Sequence, residues 1–144
     1  MGKKPDVMVL DQYVDKIIEL TYVECSRIVC SATKKANDEV KLWRETLDGA
    51  SFVNIACRPT SSQFGIVGIQ VAGTTIYLNV LMNDASGIPR YFHLDYADIP
   101  LDSNSSKHVK SLVRLLLTLR VCLTISCTAH YLLFFFALVT SLVD

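Results

Sequence analysis

The stretch GKKPDVMVLDQYVDKIIELTYVECSR, residues 2–27, contains two short apolar runs with an acidic residue at each outer end. Pro5-Asp6 precedes the first run and Glu24 follows the last apolar residues of the second. Residues 7–10 read as a short β-strand and DQYVD, residues 11–15, as a turn. Residues 16–23 form a second strand, rich in β-branched and aromatic side chains. Alternation along that strand puts Ile18, Leu20, Tyr22 and Glu24 on one face. Glu24 thus continues an apolar row to the point where the strand should leave the core, an unusual position for a carboxylate that only meets solvent. A hairpin returns the chain to its starting point, so Asp6 and Glu24 are expected at one end of the sheet. They form an acidic pair able to hold a cation, or else Asp6 is a turn residue and Glu24 a strand-end charge.

Downstream, residues 33–47 read as a helix. Ala36, Val40, Trp43 and Leu47 fall on one stripe, with Lys34, Asp38, Lys41 and Glu45 opposite. The pattern predicts a helix lying on the sheet by its apolar stripe, capped by Ser31 or Thr33 and stopped at Gly49. After the loop RPTSSQ, residues 58–63, three further strands are expected: FGIVGIQVA (64–72), TIYLNVLM (75–82) and RYFHLDYA (90–97). Gly73-Thr74 joins the first two of these, and NDASGIP turns into the third. The first two are apolar enough to be covered on both faces. Strict alternation in the third puts Tyr91, His93 and Asp95 on one face.

The composition is that of a globular chain: 144 residues, 51% apolar, with 14 basic and 14 acidic side chains. No global field attracts a polyanion, although an acidic middle is followed by a basic C-terminal segment. The five cysteines, at 25, 30, 57, 122 and 127, match no zinc spacing. They read as free thiols in a reducing, intracellular compartment. Residues 101–106 read as a polar linker, and the rest of the chain reads as helix. Residues 121–143 carry no Asp, Glu, Lys or Arg. At about 1.5 Å per residue such a run spans a bilayer core of ~30 Å, and Lys107, Lys110, Arg114 and Arg120 precede it. The run reads as a membrane anchor, as a helix buried against the sheet, or as a tail altered by a reading-frame change.

Two hard carboxylate ligands side by side are what Mg²⁺ commonly takes from a protein, water and phosphate completing its shell. A nearby lysine would stabilise charge on an attacked phosphoryl group. Pro5-Asp6, then Glu24-Cys25-Ser26 and a helix, resembles the PD-(D/E)XK nuclease superfamily, with its restriction-endonuclease-like fold. The ECSR…TKKANDEVKLWRETLDG region also looks like nuclease-like domains of large fungal gene families related to Crinkler-type effectors. The resemblance covers about residues 5–48. It implies Mg²⁺-dependent phosphodiester hydrolysis, with Asp6 and Glu24 as metal ligands. Ser26 stands where the motif has its lysine. Some members carry that lysine on the following helix, which implies Lys35 as the catalytic cation, ahead of Lys34 and of the more distant Lys41. The chain also opens at the motif itself, as a truncated copy would.

The resulting expectation is an α+β fold, with a mixed or antiparallel sheet, one amphipathic helix packed on it and a long apolar C-terminal helix. Residues 1–100 form the nuclease-like domain, 101–106 the linker and 107–144 the helix. Function is expected to be that of a degenerate nuclease-like domain, weakly active or inactive on nucleic acid. The alternative is a protein-interaction module, tethered to a membrane through 121–143 or paired with another chain through an exposed sheet edge.

Overall fold

The computed structural model describes residues 4–13, 16–57, 64–84, 86–102 and 106–141, and the side chains of these except 13, 56–57 and 127–141. The elements are β1 (Val7–Tyr13), β2 (Lys16–Cys25), α1 (Ala32–Cys57), β3 (Gly65–Ala72), β4 (Thr75–Asn83), β5 (Pro89–Asp98) and α2 (Ser106–Ser141). They make an α+β fold around one five-stranded mixed sheet in the order β1-β2-β3-β4-β5. β2 and β3 are parallel, and the other neighbours are antiparallel. A parallel pair requires a crossover, and α1 supplies it by returning across the sheet between β2 and β3.

The expected hairpin forms, with Val7 opposite Val23, and residues 11–13 belong to β1 rather than to a turn. Residues 14–15 and the loop 58–63 lie outside the described residues. Gly73, at φ 66°, starts the tight turn between β3 and β4, a conformation glycine adopts without strain.

α1 differs from its sequence pattern in length and in rotation. Its Ser31 cap is as expected: Ser31 Oγ accepts the Lys34 N–H at 3.1 Å. Gly49, however, does not stop the helix, which runs on to Cys57. The side of α1 that meets the sheet carries Asp38, Leu42, Thr46, Gly49, Ala50 and Val53, all buried. Val40 and Trp43, expected inside, are 48% and 42% exposed. Small residues explain this choice of face. A Cβ on Gly49 would lie 2.8 Å from Cε2 of Tyr22, and one on Gly68 of β3 would lie 3.2 Å from Thr46 and 3.3 Å from Leu42. The helix therefore approaches the sheet where neither partner has bulk. Under it, Ile18, Leu20, Tyr22, Leu42, Ile66 and Leu81 form the core.

The opposite sheet face is covered by α2. Leu115 packs with Val67, Leu78 and Ala97, and Leu112 and Leu119 flank it. The bidentate pair of Arg114 with Asp95, at 2.8 and 3.0 Å, fastens α2 to β5. Asp95 reaches this face because the β4–β5 register shifts between Leu78 and Asn79, so that His93 pairs with Asn79 and Asp95 with Leu78. His93 and Asp95 consequently lie on opposite faces, a correction to strict alternation caused by one β-bulge. Among the described residues, no helix is long and apolar enough to cross a membrane. Most of the run 121–143 lies outside the described side chains.

The contact at Gly49 gives a test whose sign is opposite to that of helix propensity. Gly→Ala within an exposed helix would stabilise by ~1 kcal/mol. Gly49→Ala is expected to destabilise by about 1–3 kcal/mol through overpacking against Tyr22, read as a lower urea midpoint at unchanged m-value.

Candidate functional site

Reading straight across the strands on the α1 side gives the site. Glu24, Gln70, Tyr77 and Tyr96 are successive register partners on β2 to β5, and the next row is Met8, Tyr22, Gly68, Asn79 and His93. One end of this face is therefore polar while the other is the apolar core. The N-terminal half of α1 lies over the polar end, with a pocket on each of its flanks.

The first pocket, of about 420 Å³, is lined by Lys4, Asp6, Glu24, Cys25, Lys34, Asn37, Asp38 and Lys41. The two acids singled out in the sequence thus share one pocket. Asp6 sits just before β1, where its N–H donates to the Val23 carbonyl at 3.1 Å. Its Oδ2 accepts the Cys25 N–H at 2.7 Å, extending the ladder by one side-chain rung. Glu24 is only 4% exposed. It is ion-paired through Oε1 with Lys41 Nζ, as a buried carboxylate requires. Lys41 also donates to the Lys4 carbonyl at 3.1 Å and stands 3.6 Å from Glu45. Burial opposes the charge on Lys41, but the hydrogen bond and charge of Glu24, with Glu45 and Asp6 behind it, raise its pKa.

Lys35, the lysine expected to serve Asp6 and Glu24, lies on the other flank. Its Nζ donates to Tyr77 Oη at 2.7 Å. The reason is helical geometry. Successive residues diverge by about 100°, so Lys34, Asp38 and Lys41 share one side while Lys35 and Glu39 share another. The loop 26–31 also carries the helix start beyond the end of β2. The third turn of the returning helix, rather than the first, then stands over Glu24.

Lys34 instead pairs with Asp38, which also accepts from Ser26 Oγ at 2.5 Å. Asp38 is 4% exposed. Its burial acts to raise the carboxyl pKa, but the bonds from Lys34 and Ser26 prevail and lower it. Ser26, at the position of the motif's lysine, is thus an anchor for a helix carboxylate. Glu45 is different: among the described residues neither of its buried oxygens has a hydrogen-bond partner, and Lys41 stands 3.6 Å away. Burial first, and the neighbouring Glu24 second, raise its pKa, which Lys41 opposes but does not cancel. Burial and the charges of Asp6 and Glu24 likewise raise the Cys25 thiol, which argues against a nucleophilic thiolate.

The second pocket, of about 440 Å³, is lined by Lys35, Glu39, Gln70, Tyr77, Asn79, Tyr91 and His93. Gln70 Nε2 donates to the Lys35 carbonyl at 2.7 Å, and His93 Nδ1 lies 3.1 Å from Asn79 Oδ1. Sequence reading placed Asp38 only on the charged face of α1 and passed over Gln70 and Asn79. The available signal was a single amide interrupting each of two apolar strands, GIVGIQVA and TIYLNVLMN.

Among the described residues, no cluster of three or more His, Cys, Asp or Glu side chains is arranged to hold a metal. The hydrogen bonds and ion pair described above use one oxygen of Asp6 and one of Glu24. Comparison with protein-family models, curated proteins and solved structures finds no match for this chain.

Glu45 sets a pH test. A carboxyl whose folded pKa is raised stabilises the protein below its unfolded pKa, and that contribution is lost as pH rises through the folded value. Glu45→Gln removes the loss. The variant is expected to be more stable than the parent at neutral pH, with the difference shrinking as pH falls through the carboxylate range, as followed by urea denaturation across pH.

Proposed function

We propose that the chain is a degenerate nuclease-like domain of PD-(D/E)XK type, with an inherited phosphodiester site at Asp6, Glu24 and Lys41 and weak turnover of nucleic acid. The observation that carries this reading is the Lys41 amine seated on the Glu24 carboxylate in a pocket that Asp6 also lines. Two acids and a lysine meet there although the lysine is absent from its motif position. Asp6 and Glu24 are the residues that would hold Mg²⁺, which when bound supplies a Lewis acid for a phosphoryl oxygen and acidifies a water. Lys41 places a positive charge where phosphoryl charge would build up.

Weak turnover follows from the electrostatics of the same pocket. Lys41 already interacts with Glu24, Glu45 and the Lys4 carbonyl, and Lys34 is committed to Asp38. The three lining carboxylates Asp6, Glu24 and Asp38 face Lys4, Lys34 and Lys41, with Glu45 beside Lys41, a balance that does not attract a phosphodiester. The competing reading, a protein-interaction module, draws on the outward apolar stripe of α1 with Val40 and Trp43 exposed.

Calorimetric titration with Mn²⁺ is expected to show binding that Asp6→Asn removes. Plasmid nicking is expected to be slow and metal-dependent, and to fall a further ~10²–10³-fold in Lys41→Gln. No divalent uptake by the parent protein, or nicking that survives Asp6→Asn, would overturn the nuclease reading.

A further inference from the structure

We propose that the second pocket, between the first turns of α1 and strands β3 to β5, binds an unpaired base of single-stranded nucleic acid. This deepens the nucleic-acid reading above and rests on it. Tyr77 and His93 line this pocket, and Tyr96 adjoins them on the same sheet face, outside the lining itself. Tyr77 and Tyr96, cross-strand partners, have centroids 6.3 Å apart and planes 27° apart. His93 lies 6.2 Å from Tyr96 at 26° and 6.1 Å from Tyr77 at 51°. Cross-strand stabilisation needs only the Tyr77–Tyr96 pair, yet this cluster stays open to solvent, with Tyr96 58% exposed and His93 exposed as well. A solvent-open group of aromatic rings on a sheet face is the kind of surface on which unpaired bases stack, whatever their sequence.

The remaining walls supply the other two requirements. Lys35 sits 4.1 Å above the Tyr77 ring, a cation held at the edge of the group. It belongs to the first turns of α1, where the first turn has no acidic side chain, so the helix dipole adds to its charge there. A phosphate next to a stacked base is drawn to this end, and away from Glu39 on the rim. Gln70 and Asn79, buried amides on the floor, offer polar groups to a base edge. The Tyr91 hydroxyl is buried beside Asn79 and makes no hydrogen bond of normal geometry; a ligand atom would satisfy it. At about 440 Å³ the cavity is of small-ligand size. A duplex keeps its bases stacked on each other, so the ligand is a single strand.

The test is fluorescence anisotropy of a labelled oligothymidylate with the full chain in the absence of divalent metal. Tyr96 is exposed, so its variants should fold. Tyr96→Ala is expected to weaken binding about 5–100-fold, with Tyr96→Phe near the parent. Lys35→Ala is expected to weaken binding and reduce the salt slope by roughly 0.7, the value for one phosphate on a single strand. Equal affinity for an abasic oligomer or a duplex of the same length, unchanged binding by Tyr96→Ala, or no binding by the parent would each overturn the proposal. Manganese uptake with no base-dependent binding would sink the base pocket alone. Base-dependent binding without manganese uptake would overturn the nuclease reading and leave the base pocket standing as a nucleic-acid-binding site.

Discussion

Glu24 is nearly inaccessible to water, and a carboxylate in that position must be compensated by a cation or lose its charge. Lys41 provides the compensation, and much of the molecule is arranged so that it can. The residue stands on the third turn of α1, so the helix must lie with its charged side toward β2. Once it does, Asp38 is buried as well and needs Lys34 and Ser26, while Glu45 is carried into a place where Lys41 comes no closer than 3.6 Å. The polar end of the sheet and the rotation of the helix are thus one constraint. A helix seated on Ala36, Val40 and Trp43 would leave Glu24 buried and unpaired, a state that costs several kcal/mol.

The same constraint separates the two pockets. Because Lys34 and Lys35 are adjacent in sequence, they leave the helix in different directions, one toward the acids of β2 and the other toward the aromatic rings of β4 and β5. Gln70 lies between them, bonded to the Lys35 carbonyl. The acidic pocket and the ring-lined pocket therefore flank the N-terminal half of α1. On the proposed reading, chemistry and base recognition lie on its two sides. The lysines of the acidic pocket are largely committed to carboxylates, which on the proposed reading would keep turnover weak without any defect in folding.

A good part of the architecture was legible in the residues themselves. The β1–β2 hairpin, the Ser31 cap, the Gly73 turn and the strand order along the chain all rest on local chemistry, and each forms as read. The acidic pair was legible because period-two alternation forces Glu24 onto the face of Ile18, Leu20 and Tyr22, and a hairpin brings Asp6 opposite. Other features depend on contacts distant in sequence. Lys35 was favoured over Lys41 by counting turns from the helix start, but the six-residue loop before α1 decides which turn reaches Glu24. His93 and Asp95 share a face in the sequence pattern, and a bulge set by pairing with β4 separates them.

What the sequence determined by itself is therefore periodic and local: the succession of strands and helices, though not the ends of β1 and α1, and that two carboxylates lie at one sheet end. The tertiary structure alone decided which side of α1 meets the sheet. Amphipathic periodicity gives a helix a preferred side, but close approach is governed by volume, and Gly49 and Gly68 left room only on the side that carries Asp38, Lys41 and Glu45. With that choice made, the lysine that neutralises Glu24 and the rings that face Lys35 follow from geometry that no single segment encodes.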